Sequence, residues 1–182
     1  MRLFALLFLV LLALPVQAQE TVPAPAPRLS PLMLAKTQLG NTYVKLHYSS
    51  PQRRHPQTGE TRVIFGGIVP FGQVWRTGAN EATEITLTGD LMFGSAMIPA
   101  GTYALYTIPG EASWTVIFSK AVGQWGSFSY DETQDFARFT VPSGKSDKTY
   151  EAFTMAFEEA PGGAHLVLTW ENTQVRVPVM AH

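Results

Sequence analysis

The 182-residue chain contains no cysteine. Disulfide bonds therefore cannot stabilise the fold, even in an oxidising compartment. A lipid-anchored exported protein of bacteria also needs a cysteine at its cleavage site, so this kind of anchor is excluded. Stability has to come from an ordinary hydrophobic core, and 46% hydrophobic residues in a chain of single-domain length are enough to form one.

Charge is scarce as well. The chain carries 13 Lys and Arg residues against 14 Asp and Glu residues, a formal net charge of −1, and has no basic block. Because contacts with phosphates require clustered lysines and arginines, this composition predicts no nucleic-acid partner.

One long apolar run is present, at the N-terminus. It extends from Leu3 to Leu14, follows Arg2, and ends at Pro15. These features are typical of a secretory signal peptide, because the run is too short and its C-terminal flank too uncharged for a membrane-spanning helix. We expect cleavage after Ala18 and an exported, soluble protein, periplasmic or extracellular, with no membrane anchor after cleavage.

The next residues, 19–30, are rich in Pro and Ala and have no apolar periodicity. They predict an extended tether that leads into one domain over residues 31–182. From Thr42 the pattern has a period of two, since Val44, Leu46 and Tyr48 alternate with Tyr43, Lys45 and His47. This alternation indicates a strand with one buried face.

Further β-rich runs follow, separated by turn residues. The runs cover residues 61–65, 84–88, 102–108, 114–119, 136–141, 152–157, 165–170 and 175–179. The turns fall at residues 99–101, 109–110, 142–144, 161–163 and 171–173. Many short strands at this spacing predict an all-β fold, a single antiparallel β-sandwich that is jelly-roll-like.

Helix is predicted only as short turns. Residues 31–38 have Ser30 as a candidate N-cap, Pro31 at the first helical position and Gly40 just beyond the end. Residues 131–136 fit a single helical turn. No long amphipathic helix is visible, which excludes an α/β architecture.

The candidate site is the stretch VWRTGANEAT, residues 74–83. Gly78 allows a sharp turn and Asn80 can cap it. In a binding site, Arg76 would offer a planar fork to a carboxylate or phosphate, Asn80 an amide and Trp75 an apolar wall. Glu81 is the candidate catalytic acid or base.

The same stretch has a purely structural interpretation. Arg76 could pair with Glu81 or Glu84 inside the protein and hold the loop, while Trp75 fills the core. The loop at residues 123–131, rich in Gly, aromatics and hydroxyls, is open to both interpretations too, as a ligand-binding loop or as an ordinary connection between strands.

The four histidines do not have the spacing of a metal site. His47 lies on the strand face opposite Val44 and Leu46 and adjoins Tyr48, so His47 and Tyr48 are added to the ligand-binding candidates. No histidine has a second ligand at close metal spacing, and a Gly-x-Ser-x-Gly nucleophile motif is absent. The sequence thus predicts no metal site and no cofactor, and it leaves the oligomeric state open.

Several motifs together resemble one bacterial family. They are YSSP (48–51), RVIFG (62–66), VPFG (69–72), VWRTGANEAT (74–83), PAGTY (99–103), IPG (108–110), WTVIF (114–118) and WG (125–126). The chain resembles the DUF2911 family, a domain of unknown function, over essentially everything after the tether. The resemblance implies an exported bacterial β-rich domain and carries no activity.

The chain departs from the family pattern at Ser50, where Arg is common, and in residues 52–61, which form a longer loop. If that Arg serves a site in relatives, Arg53, Arg54 or Arg62 would have to replace it here.

Three functional hypotheses follow. The first is a binding module in which residues 75–81 border a pocket for a small polar or anionic ligand. The second is a hydrolase with Glu81 as general base and Arg76 or Asn80 stabilising negative charge. The third is a structural envelope or interaction protein in which these residues only lock the fold.

Overall fold

The computed structural model describes residues 26–181. The predicted signal peptide, residues 19–25 of the predicted tether and His182 lie outside this range. The described chain forms nine strands and one 3₁₀ turn, Glu132–Gln134. In chain order the strands are β1 (Leu32–Leu39), β2 (Thr42–Ser49), β3 (Thr83–Leu87), β4 (Leu91–Phe93), β5 (Ala96–Ile98), β6 (Gly101–Ile108), β7 (Ser113–Ser119), β8 (Asp135–Ala160) and β9 (Gly163–Ala181).

All nine strands belong to one antiparallel sheet in the order β1-β2-β3-β6-β7-β8-β9-β4-β5. This confirms the predicted all-β, antiparallel fold. Strand β8 pairs with β7 up to Pro142 and with β9 from Ser143 onward. The sheet is not closed, and one main core cluster takes buried side chains from strands on both sides of this change of partner, as in a sandwich-like arrangement.

The core contains a cluster of aromatic rings that come from several strands and from the candidate loop. Trp75 stacks on Trp170 with ring centroids 6.0 Å apart, and it meets Phe153 edge-on at 5.0 Å. Trp114 and Phe65 complete the cluster. Edge-to-face and offset contacts of this kind add to the free energy of burial. The cluster lies directly beneath the candidate loop, since Trp75 belongs to both.

The helix predicted at residues 31–38 is wrong, because this segment forms β1. It pairs with β2 along its whole length, from Leu32 opposite Ser49 to Leu39 opposite Thr42. Gly40, with φ of 57°, makes the two-residue connection with Asn41. A Gly-Asn pair between two apolar runs is a hairpin signal, and pairing with a neighbouring strand outweighs weak local helix propensity.

Three further expectations are corrected. Residues 61–65 form only isolated bridges, because the chain turns at Gly66 and Gly67. The turns predicted at residues 142–144 and 171–173 lie inside β8 and β9. At Pro142 and Ser143, β8 changes its partner from β7 to β9, and around Glu171 the pairing of β9 with β8 shifts register instead of ending. The short strands β4 and β5 were not predicted, because three residues are too few to show a period.

Within residues 26–181, no helix is long and apolar enough to cross a membrane.

Phe153 and Phe128 give a matched test of the core. Phe153 is 0% exposed and Phe128 is 83% exposed. We expect Phe153→Ala to lower the free energy of unfolding by about 3 to 5 kcal/mol, because it removes buried area and leaves a cavity. Phe128→Ala should change it by less than about 0.5 kcal/mol. Chemical denaturation of both variants measures this, and equal losses would contradict the assigned core.

Candidate functional site

The candidate loop is fixed to the sheet at its base. Trp75 exchanges two backbone hydrogen bonds with Thr107 of β6, at 2.8 and 3.0 Å. At the other end, the Thr83 amide donates to the Arg76 carbonyl at 3.1 Å, and the Thr83 hydroxyl donates to the Thr77 carbonyl at 2.7 Å. The loop therefore has a defined shape, and we call residues 75–81 the WRTGANE loop.

The backbone of this loop is strained at its centre. Thr77 and Asn80 have φ of 54° and 57°. This region is rare for a β-branched residue such as Thr77 and costs on the order of 1–3 kcal/mol. Thr77 is fully buried, and a 3.0 Å hydrogen bond between its hydroxyl and that of Thr107 holds it there. Gly78 packs closely, because a Cβ there would lie 2.8 Å from the Ser49 carbonyl.

A cavity of about 500 Å³ opens beside the loop. Of the residues predicted for the site, Trp75, Arg76 and Asn80 line it. The cavity is also lined by other polar residues, of which the sequence suggested a site role only for Arg62, as a replacement for the family's Arg, and for Ser127, within the loop at residues 123–131. These polar residues are Ser30, Gln52, His55, Arg62, Gln73 and Ser127.

Arg76 has no counter-charge within the described part of the chain. No carboxylate of residues 26–181 lies within salt-bridge distance of its guanidinium, and its buried Nε has no hydrogen-bond partner there. Burial lowers the pKa of Arg76 below its ordinary value. The predicted internal pairing of Arg76 with Glu81 or Glu84 is therefore wrong.

Both glutamates have other partners. Glu81 forms a salt bridge with Arg28 and accepts a 3.4 Å hydrogen bond from the Ser49 hydroxyl. Burial acts to raise the pKa of Glu81, but the hydrogen bond and charge of Arg28, together with Ser49, outweigh it and lower the pKa. Glu84 lies 3.5 Å from His47 and accepts a 2.6 Å bond from the Gly123 amide.

Glu81, His47 and Tyr48 line a second, smaller cavity of about 140 Å³. The six predicted ligand-binding residues are thus divided equally between two cavities. The Tyr48 hydroxyl accepts from the Met155 amide at 2.9 Å and donates to the Met155 carbonyl at 3.4 Å. Burial raises the pKa of Tyr48, although the bond to Met155 opposes this. Its hydroxyl is thus already committed to the backbone of β8.

The ionisable side chains that line the large cavity are all basic. Its described lining contains Arg62, Arg76 and His55, and no Asp or Glu. Arg62 donates from Nε to the Arg53 carbonyl at 3.3 Å and from Nη2 to the Gln52 carbonyl. These bonds fix the guanidinium of Arg62, which retains its Nη1 donors. A cavity lined in this way favours an anion.

Residues 26–181 contain no candidate metal site, because no three His, Asp or Glu side chains in this range are close enough together to hold an ion.

A family model matches residues 30–179, nearly the whole described chain. The chain belongs to the DUF2911 family. That family is described as a protein of unknown function, so membership in DUF2911 supplies no activity. No curated protein and no solved structure matches the chain.

Within this DUF2911 domain, Arg62 is one of the three residues that could replace the family's Arg at position 50. It is also the one of those three that lines the large cavity. No local pattern in the sequence predicts that His55 and Arg62 line the cavity. The loop that carries them has no apolar periodicity and reaches the cavity only through tertiary contacts.

The charge of Arg76 should be unnecessary for folding. We expect Arg76→Gln to leave the free energy of unfolding within about 0.5 kcal/mol of wild type or to raise it, because the burial that lowers the pKa of Arg76 disfavours the charged form. Urea denaturation without added anions measures this. A loss above about 1 kcal/mol would mean that the guanidinium stabilises the fold.

The Arg28–Glu81 salt bridge should make a small, pH-dependent contribution. Both side chains are more than one-third exposed, so Glu81→Gln should cost less than about 1 kcal/mol at pH 7. Because the folded-state pKa of Glu81 is lowered, this stabilisation is present above the ordinary glutamate pKa of about 4.5 and is lost as the pH falls through the folded-state pKa. Denaturation curves of both proteins between pH 7 and pH 3 test this. A difference that grows on acidification would contradict the assignment.

Proposed function

We propose that the protein is a binding module for a small anionic ligand, with Arg76 as the main anchor in the large cavity. One observation carries the proposal. Arg76 is partly buried, has no counter-charge among the described residues, and lines a cavity whose described lining contains no carboxylate.

The energetic reason is desolvation. A cation removed from water without a partner is costly, and proteins usually pair it or neutralise it. An anionic ligand would supply the missing partner when it binds. The planar guanidinium fork matches a carboxylate or a phosphate in two parallel hydrogen bonds.

The size and lining of the cavity agree with a small molecule. Its volume of about 500 Å³ lies within the usual range of ligand pockets. Gln52, Gln73, Asn80 and Ser127, which carry amide and hydroxyl groups, line the same cavity as the basic side chains. These can fix the orientation of a bound anion, while Trp75 and Trp170 form the apolar wall.

The arrangement favours binding over hydrolysis. In the hydrolase hypothesis Glu81 acts as general base beside Arg76, but Glu81 lines the small cavity and is paired with Arg28. A general base works best with a pKa near the working pH, whereas the pKa of Glu81 is lowered. The purely structural hypothesis loses its main support, because Arg76 makes no internal ion pair with the described residues.

The same proposal includes export of the protein. It rests on the N-terminal apolar run from Leu3 to Leu14 and the small-residue cleavage site at Ala18. The ligand would then be one that is met in the periplasm or outside the cell.

Ligand binding should appear as an anion-dependent rise in Tm. Inorganic phosphate, sulfate, acetate and citrate would be added separately to protein in a buffer free of other anionic ligands. At 100-fold excess over Kd, a bound anion adds about 2.7 kcal/mol, or roughly 5 to 10 °C in Tm for a domain of this size. We expect this rise in wild type and its loss in Arg76→Gln.

Arg54→Gln is the matched control. It removes the same charge from an exposed arginine that does not line the cavity, so it should keep the wild-type response. A rise in Tm of equal size in wild type and Arg76→Gln would rule out the proposed anchor.

A further inference from the structure

We infer that the anionic ligand is amphipathic, a small carboxylate whose charged head meets Arg76 and whose apolar tail leaves the cavity across Ile68 and Phe128. This inference rests on the proposed function and assigns the chemical class of its ligand.

The first observation is an exposed apolar border at the cavity. Phe128 is 83% exposed, Trp125 62% and Ile68 49%. Ile68 lines the cavity, and so does Ser127, which lies next to Phe128 and two positions after Trp125 in the chain. Large exposed apolar side chains grouped around a cavity mark a contact surface for an apolar partner group.

The second observation places this border beside the charge. A Cβ on Gly126 would lie 2.9 Å from the Phe128 ring and 3.3 Å from Nη1 of Arg76. The ring and the guanidinium therefore flank the same glycine. A ligand whose head binds Arg76 meets an exposed apolar ring within a few atoms of that head.

The third observation is that the segment carrying the two aromatics is anchored. Glu81 and Trp125 form an isolated β-bridge, and the Ala82 amide donates to the Gln124 carbonyl at 2.9 Å. The Gly123 amide donates to Glu84 at 2.6 Å. The rings are thus presented to solvent from a fixed backbone, and a tail can contact them without first ordering the segment.

The lining of the large cavity also contains apolar side chains that such a tail could contact. Apolar side chains line the cavity together with the polar ones, so a methylene chain can contact apolar surface before it reaches the border. These apolar residues are Leu29, Pro51, Pro56, Ile68, Val69 and Pro70. A free inorganic anion would use only the cationic groups and would leave this surface unused.

The test is the Kd of straight-chain carboxylates, from acetate through hexanoate to decanoate, measured by calorimetry below the concentrations at which they form micelles. In wild type we expect Kd to fall about fourfold for each methylene that reaches the apolar surface, the value that corresponds to about 0.8 kcal/mol per buried methylene. The double variant Ile68→Ser with Phe128→Ala should flatten this dependence for the longer chains, whose ends reach Ile68 and Phe128.

Val63→Ser is the control, because Val63 is 70% exposed in the same segment as Ile68 and does not line the cavity. It should keep the wild-type dependence on chain length. Arg76→Gln should weaken binding at every chain length.

Each other outcome is decisive. If acetate and decanoate bind equally and both need Arg76, the tail inference fails and the anion site stands. If the longer chains keep the full dependence on chain length in the double variant, or if it is kept in Arg76→Gln without loss of affinity, the tail binds elsewhere and the inference is overturned. If no carboxylate binds while inorganic phosphate still raises Tm, the ligand class is wrong.

Discussion

The burial of Trp75 is the constraint on which the site depends. Its ring stacks on Trp170 and meets Phe153, while its backbone bridges to Thr107 of β6. Because the ring is held in the core, the next residue, Arg76, must leave the core at a fixed point, with its Nε still buried. The strained Thr77 then reverses the chain. Hydrophobic packing of Trp75 thus fixes the position of the Arg76 guanidinium.

Acidic and basic side chains are distributed unequally on the two sides of the WRTGANE loop, so the two cavities differ in the charges that line them. On one side Glu81 pairs with Arg28, while Glu84 lies beside His47 and accepts a hydrogen bond from the Gly123 amide, so both acidic side chains have local partners. On the other side Arg76 has no acidic neighbour among the described residues. The loop separates these environments over one residue, since Asn80 lines the large cavity and Glu81 the small one. An anion is favoured on only one of the two sides.

Sequence reasoning was successful where local pattern and tertiary environment agree. The alternation of Val44, Leu46 and Tyr48 correctly predicted a half-buried strand, because a strand with one buried face imposes that period directly. It failed at β1, whose capping signals suggested a helix, because pairing with β2 supplies backbone hydrogen bonds that local propensity does not register. It also divided β8 and β9, because the Pro, Ser, Gly and Asn residues at the points where β8 changes partner and β9 shifts register are also typical of turns.

The sequence by itself determined an all-β domain without disulfides, and it singled out residues 75–81 as the candidate site. Only the tertiary structure decided which partner each charged side chain takes. Glu81 pairs with Arg28, which is 53 positions away, and Arg62 reaches the cavity from a loop without any period. The physical reason is that an ion pair depends on distances in space. Those distances follow from the tertiary path of the chain, which no local pattern of residues encodes.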